Sequence, residues 1–150
     1  LRLQKNSYSC GVIAIMNAAK CFRRNLSENV VKKFTMTTKK DGTGDLGITT
    51  ALKEFKFEYE IVDTTDWNVA NDFAMNSLCF GFPVIVCSNN MQHWMVIGGL
   101  IGNNFIVFDS SNSKRNKKEH GVRIIESKRL KKVWKSSSGR FFGVRVKGNR

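Results

Sequence analysis

No apolar run in this chain approaches the roughly 18–20 residues that a membrane-spanning helix needs, so no transmembrane segment is expected. The opening Leu1–Tyr8 is polar and lacks the apolar stretch of a secretory signal peptide. One proline, Pro83, and 12 glycines in 150 residues do not punctuate the chain into two parts. Neither an internal repeat, a low-complexity tract nor a linker interrupts it, and a single domain over residues 1–150 is the expectation. With 41% hydrophobic and 25% charged residues it can bury a core, which excludes disorder and a collagen-like fibre.

The four cysteines, Cys10, Cys21, Cys79 and Cys87, contain no CxxC pair. That excludes zinc-finger ligand spacing and a dense disulfide scaffold. Cys21, Cys79 and Cys87 each sit among apolar residues and read as buried thiols, which favours a reducing, cytoplasmic location. Metal binding needs three or four convergent ligands, and no such cluster is found. No metal or other cofactor is expected.

Acidic residues are scarce at one end only. Residues 111–150 hold 14 Lys and Arg against 2 Asp and Glu, while residues 1–110 hold 11 against 10. Nearly all of the net charge of +13 therefore lies in the last 40 residues. Lys114, Arg115, Lys117 and Lys118, then Lys128, Arg129, Lys131 and Lys132, make the densest part. Such runs are often simply solvated. The alternative is a face, within residues 114–135, for an anionic partner: nucleic acid, an acidic protein or a membrane surface. Trp134, Phe141 and Phe142 alone stand near for base stacking, so support for single-stranded nucleic acid is thin.

Periodicity divides the chain into two styles. Val12, Ile15, Met16 and Ala19 recur at helical spacing in a helix from Cys10 to about Arg24. Ser27 can cap a second helix through Phe34, Lys39–Gly47 reads as a loop, and Thr49–Phe55 as a third helix. Phe57–Val62 reads as a strand and Trp67–Leu78, capped by Asp66, as a helix. Beyond it Phe82–Cys87, His93–Leu100, Phe105–Asp109, Gly121–Ile125 and Phe141–Val146 read as strands, with Ser127–Trp134 a short helix. Helices first and then a mostly antiparallel sheet make an α+β protein.

Three residues have the types needed to act together. Cys10 stands where a loop becomes a helix, and a helix N-terminus stabilises a thiolate. His93 starts an apolar strand. Asp109 ends the next one, and if the two pair through the turn near Gly102–Asn104 the residues lie side by side, the carboxylate orienting the imidazole. Gln4, six positions before Cys10, can fold back so that its NH2 and the Cys10 backbone N–H form an oxyanion hole. Gly11, poor in a helix, would leave room beside the sulfur for the attacked carbonyl. Taken singly each has a plainer reading: a core thiol, a strand histidine, a turn aspartate, a solvated glutamine, and a core tryptophan at Trp94.

The stretches Gln4…Ser9-Cys10-Gly11-Val12-Ile13-Ala14, Gly44-Asp45-Leu46-Gly47, Pro83-Val84-Ile85-Val86, His93-Trp94-Met95-Val96-Ile97, Phe105-Ile106-Val107-Phe108-Asp109 and Leu130…Trp134…Phe142-Gly143-Val144 resemble the double-glycine leader peptidases, papain-like cysteine peptidases that process bacteriocin precursors. The resemblance implies a papain-like fold: a helical lobe with Cys10 as nucleophile, and a sheet lobe with His93 as base and acid and Asp109 as orienter. It also implies Gln4 and Cys10 in the oxyanion hole, Gly11 and Trp94 beside the substrate, and a peptide or protein as that substrate. Two positions depart: Ser9 where the family usually has an acid, and Ser110-Ser111 where it commonly has Pro-Ala. They keep open a catalytically silent peptidase-like module that holds a peptide and docks its basic end on an anionic partner. Gln4-Lys5-Asn6…Cys10-Gly11-Val12 and His93-Trp94…Phe108-Asp109-Ser110 also resemble the proteases for ubiquitin-like modifiers and the adenoviral peptidase. In those the His and Asp precede the Gln and Cys, so linear order favours the first family.

Overall fold

A computed structural model describes residues 2–88, 92–111, 113 and 118–149. Helix α1 (Cys10–Lys20) is followed by α2 (Glu28–Thr35), α3 (Asp45–Glu54), strand β1 (Phe57–Thr64) and helix α4 (Trp67–Cys79). Then come β2 (Val84–Ser88), β3 (His93–Ile101), β4 (Asn104–Phe108), β5 (Val122–Glu126), helix α5 (Ser127–Trp134) and β6 (Phe141–Asn149). The strands form one six-stranded sheet in the order β1-β6-β2-β3-β4-β5, each neighbouring pair antiparallel. The fold is α+β, as the change from helical to alternating patterning predicts. The early strand β1 joins the sheet only through the C-terminal strand β6.

Each face of the sheet buries a separate core. Ile85 and Cys87 of β2 and Trp94 and Val96 of β3 point to α1, where they meet Val12, Ile15 and Ala19. Val84 and Val86, Met95 and Ile97, and Phe105 and Val107 point the other way, onto Ala70 and Ala74 of α4 and Leu130 and Trp134 of α5. This is the period-2 alternation of a sheet covered on both sides. Helix α1 is buried from Cys10 through Ala19, because α2 and α3 cover the side that the sheet does not. A helix apolar on nearly every side is one buried on every side. The Trp134 indole N–H donates to the Phe142 carbonyl at 2.8 Å, fastening α5 to β6.

Several boundaries shift. Helix α1 stops at Lys20, four residues before the expected end, and the chain turns through Arg23 at φ 58°. Helix α3 begins at Asp45, inside the stretch read as a loop: the Ile48 N–H reaches the Gly44 carbonyl at 3.1 Å, and Asp45 sits in the first turn. An acid there complements the helix dipole, a signal outweighed in the sequence by the neighbouring glycines. Asp66 caps α4 through the Asn68 N–H at 2.9 Å, as expected. The four cysteines are all free, but only Cys10 and Cys87 are buried. Cys21 and Cys79 are exposed, correcting the reading from their apolar neighbours, because each stands where its helix ends and turns outward. Among the described residues no helix is long and apolar enough to cross a membrane.

Candidate active site

Cys10 is the first residue of α1, only 5% exposed, and its backbone N–H belongs to the first turn, outside the helix's own ladder. Gly11 behind it meets Thr43: a Cβ at this position would lie 2.6 Å from the Thr43 Cβ. The same loop receives the Trp94 indole N–H on the Thr43 carbonyl at 2.7 Å. Gly11 is therefore buried, with Thr43 occupying the place that a Cβ would take. Gly11→Ala is expected to lower stability by about 1–3 kcal/mol through this overpacking. Thermal unfolding measures it, and an unchanged melting temperature would contradict the close approach.

His93 opens β3 opposite Ser88, and Asp109 follows the last residue of β4. Their juxtaposition depends on one irregularity. From the turn, Ile101 pairs with Asn104, Leu100 with Phe105 and Gly99 with Ile106, but beyond a bulge Ile97 pairs with Val107 and Val96 with Phe108. Continued without the bulge, the first register would set Asp109 opposite Val96, and His93 would point to the other face. The extra residue, Gly98, restores parity, so that Asp109 extends the ladder opposite Met95 and shares a face with His93. His93 Nε2 then donates to Asp109 Oδ1 at 2.8 Å. Pairing through a plain hairpin would have separated the two; the Gly98-Gly99 pair is the signal for a bulge that the strand reading passed over.

Asp109 is held from several sides. Its Oδ1 also accepts the Ser111 N–H at 3.0 Å, its own N–H donates to the Gly121 carbonyl at 2.8 Å, and Arg123 lies 3.6 Å from Oδ2. Burial opposes the carboxylate's charge, yet the bonds from His93 and Ser111 outweigh it and hold the group well below the usual carboxylate range. With Nε2 engaged by Asp109, the remaining ring nitrogen of His93 is the one left for the Cys10 sulfur, which lies within interaction range of the ring. Burial disfavours the imidazolium, but Asp109 and Cys10 together raise His93 to about 9. Burial likewise pushes the Cys10 thiol up, and the His93 side chain and the Trp94 and Gly11 backbones overcome it, leaving Cys10 below an ordinary thiol. Cys87, buried nearby on β2, is pushed up to about 12 by burial first and by the neighbouring Cys10 and Asp45 charges second, and stays a thiol.

Gln4 is 7% exposed and tied on all sides. Its backbone N–H donates to the Ser110 carbonyl at 2.8 Å, its Oε1 accepts the Ser110 hydroxyl at 2.9 Å, and its Nε2 donates to the Asn6 carbonyl at 2.8 Å. The Asn6 carbonyl, which can only accept, determines which end of the amide is NH2, and the Ser110 hydroxyl then donates to the oxygen end. Nε2 has two hydrogens, so one remains after the bond to Asn6. No local pattern in the sequence points to this role for Ser110, because the contact joins residues 106 apart.

Two hollows flank the Cys10–His93 pair. One of about 380 Å³ is lined by Ser7, Tyr8, Cys10, Thr43, Gln92 and Trp94. Trp94 thus borders this space, although its ring is mostly buried. The other, about 310 Å³, lies on the His93 side. A larger one, about 540 Å³, is lined by Lys53, Tyr59, Glu60 and Lys147 at the β1–β6 edge and holds neither thiol nor imidazole. The basic run is divided in its fate. Lys128, Arg129, Lys131 and Lys132 are exposed along α5, opposite the buried Leu130 and Trp134, and Lys118 is exposed. Lys114, Arg115 and Lys117 lie outside the described residues.

A buried thiol at a helix N-terminus facing an imidazole on an antiparallel sheet, within an α+β frame of this order, defines a class: the papain-like cysteine peptidases. The chain belongs to one branch of it, the Peptidase C39 family, whose model matches residues 1–137. Among solved structures it is similar to the peptidase domain of Streptococcus ComA, a bifunctional ABC transporter involved in a quorum-sensing pathway. Identity is 23%, coverage 97% of this chain and 96% of that one, and the TM-score 0.73. It is also similar to a double-glycine-motif protease from an AMS/PCAT transporter, solved in complex with the leader peptide (14% identity, 97% and 89% coverage, TM-score 0.68). The peptidase domain of Streptococcus mutans ComA is a third (20% identity, 97% of each chain, TM-score 0.60). No curated protein sequence matches significantly. At these identities the structural likenesses establish the fold, and the family match establishes a cysteine peptidase.

Proposed function

We propose that residues 1–150 form one intracellular peptidase domain that cuts leader peptides from precursors after a double-glycine motif. The observation that carries it is the His93–Asp109 bond of 2.8 Å directed at a thiol held below its ordinary pKa. The Cys10 thiolate attacks the carbonyl carbon, and the oxyanion is held by the second hydrogen of Gln4 Nε2 and the Cys10 backbone N–H. His93 gives its proton to the departing amine, leaving a thioester on sulfur. The neutral ring then takes a proton from water, whose oxygen attacks the thioester and releases the acid and the thiolate. Asp109 keeps the ring oriented through both steps.

Incubating the protein with peptides that carry a Gly-Gly pair, and identifying the products by mass spectrometry, tests the assignment. Cleavage directly after the pair supports it; cleavage at unrelated bonds, or none, would refute it.

The same mechanism gives Ser110 a measurable part as a positioning residue. Removing one oxyanion donor costs about 10²–10³ in kcat. Ser110→Ala leaves Gln4 held by Asn6 but removes the bond on its amide oxygen, loosening the amide, and kcat is expected to fall about tenfold with KM little changed. Ser110→Thr, which keeps the hydroxyl, restores the rate. An equal loss in both variants would make the position merely structural.

A further inference from the structure

The hollow on the His93 side has a composition that hydrolysis does not require. Its floor is Met95 and Val107, both buried, and its rim carries Arg123 and Arg129 beside His93 and Asp109. Asp109 is already engaged by His93 at 2.8 Å, with Arg123 3.6 Å away. Arg129 is exposed on α5 and shares a smaller hollow with Glu126, Lys128 and Lys132. Taken together, the two hollows set Arg123, Arg129, Lys128 and Lys132 against Asp109 and Glu126, so the rim remains cationic, and Lys131 on the same helix adds to the field.

The chemistry proposed above assigns the two hollows to different halves of a substrate. The acyl half stays bonded to sulfur, beside the hollow that Cys10 itself lines. The amine half leaves past the ring that protonates it, and so passes the hollow lined by His93. An acidic side chain fits such a space, its methylenes on Met95 and Val107 and its carboxylate at the guanidinium rim, where a planar fork matches it. We propose that this pocket binds an Asp or Glu just C-terminal to the scissile bond, with Arg129 the specificity-determining residue and Arg123 a second cation. The proposal rests on the peptidase reading. It gives the basic segment a partner: the released part of the substrate.

The test uses double-glycine peptides that carry Glu or Lys at the first two positions after the bond. It is read twice, as kcat/KM with the wild type and as affinity of the intact peptides for Cys10→Ala protein. Glu is expected to exceed Lys about tenfold in both readings, an advantage that shrinks as salt is added. Arg129→Glu abolishes or inverts the preference, whereas Lys20→Glu, the same charge change at the far end of α1, retains it. Cleavage without a charge preference, a preference that survives Arg129→Glu, or an equal preference when the acid precedes the bond would each overturn the proposal. Charge-selective binding without any cleavage would uphold the pocket and refute the peptidase reading instead.

Discussion

Cys10→Ala is expected to lower kcat/KM by at least about 10⁴-fold, to the level that binding and oxyanion stabilisation alone sustain. None of the other thiols can substitute. Cys87 is buried and held protonated, with its pKa pushed up to about 12, while Cys21 and Cys79 are exposed at helix ends and line neither hollow beside His93 and Cys10. Substituting alanine for a small side chain at the first position of a helix leaves the fold intact, since alanine suits a helix well. The loss should therefore be read in turnover, by chromatography of the products, with circular dichroism unchanged. Activity within tenfold of the wild type would remove Cys10 from the mechanism.

Asp109→Ala is the second large effect, about 10²–10⁴ in kcat/KM. Two consequences combine. The ring loses the bond of 2.8 Å that fixes its tautomer and plane, and the imidazolium loses its counter-charge, so His93 falls from about 9 towards an ordinary histidine. Less thiolate then exists at neutral pH. Asp109→Asn separates the two contributions, because the amide oxygen can still accept from Nε2 while the charge is gone. Its activity should lie between those of wild type and Asp109→Ala. If both variants retained full turnover, the carboxylate would have no part in catalysis.

Much of this site can be read in the sequence because its chemistry is carried by residue type and order. A cysteine at a loop-to-helix junction, a histidine opening an apolar strand and an aspartate closing the next one are local features. So is helix α5, whose bounds Ser127–Trp134 follow directly from its apolar spacing. What escapes is set by contacts between distant segments. The face that His93 shares with Asp109 depends on a one-residue bulge at Gly98, which alternation alone cannot locate. The Gln4 amide is oriented by Ser110, on a loop more than a hundred residues away. Gly11 admits the close approach of Thr43, and the pairing of β1 with β6 joins the two ends of the sheet's chain order. Each is a matter of register or packing, which a one-dimensional pattern does not encode.

The pH dependence of Cys10 alkylation, compared between wild type and His93→Ala, addresses the catalytic pair most directly. An ordinary thiol titrates near 8.5 and reacts only as the pH approaches that value. With Cys10 lowered chiefly by His93 against the burial that raises it, and His93 raised to about 9, the thiolate forms at lower pH than that of an ordinary thiol, so the wild-type alkylation profile should lie on the acid side of one. In His93→Ala the burial that pushes the thiol up is no longer opposed by the ring, and the profile should move to or above the ordinary thiol range. A wild-type rate that rises only as an ordinary thiol ionises, or one that His93→Ala leaves unchanged, would contradict a Cys10–His93 ion pair.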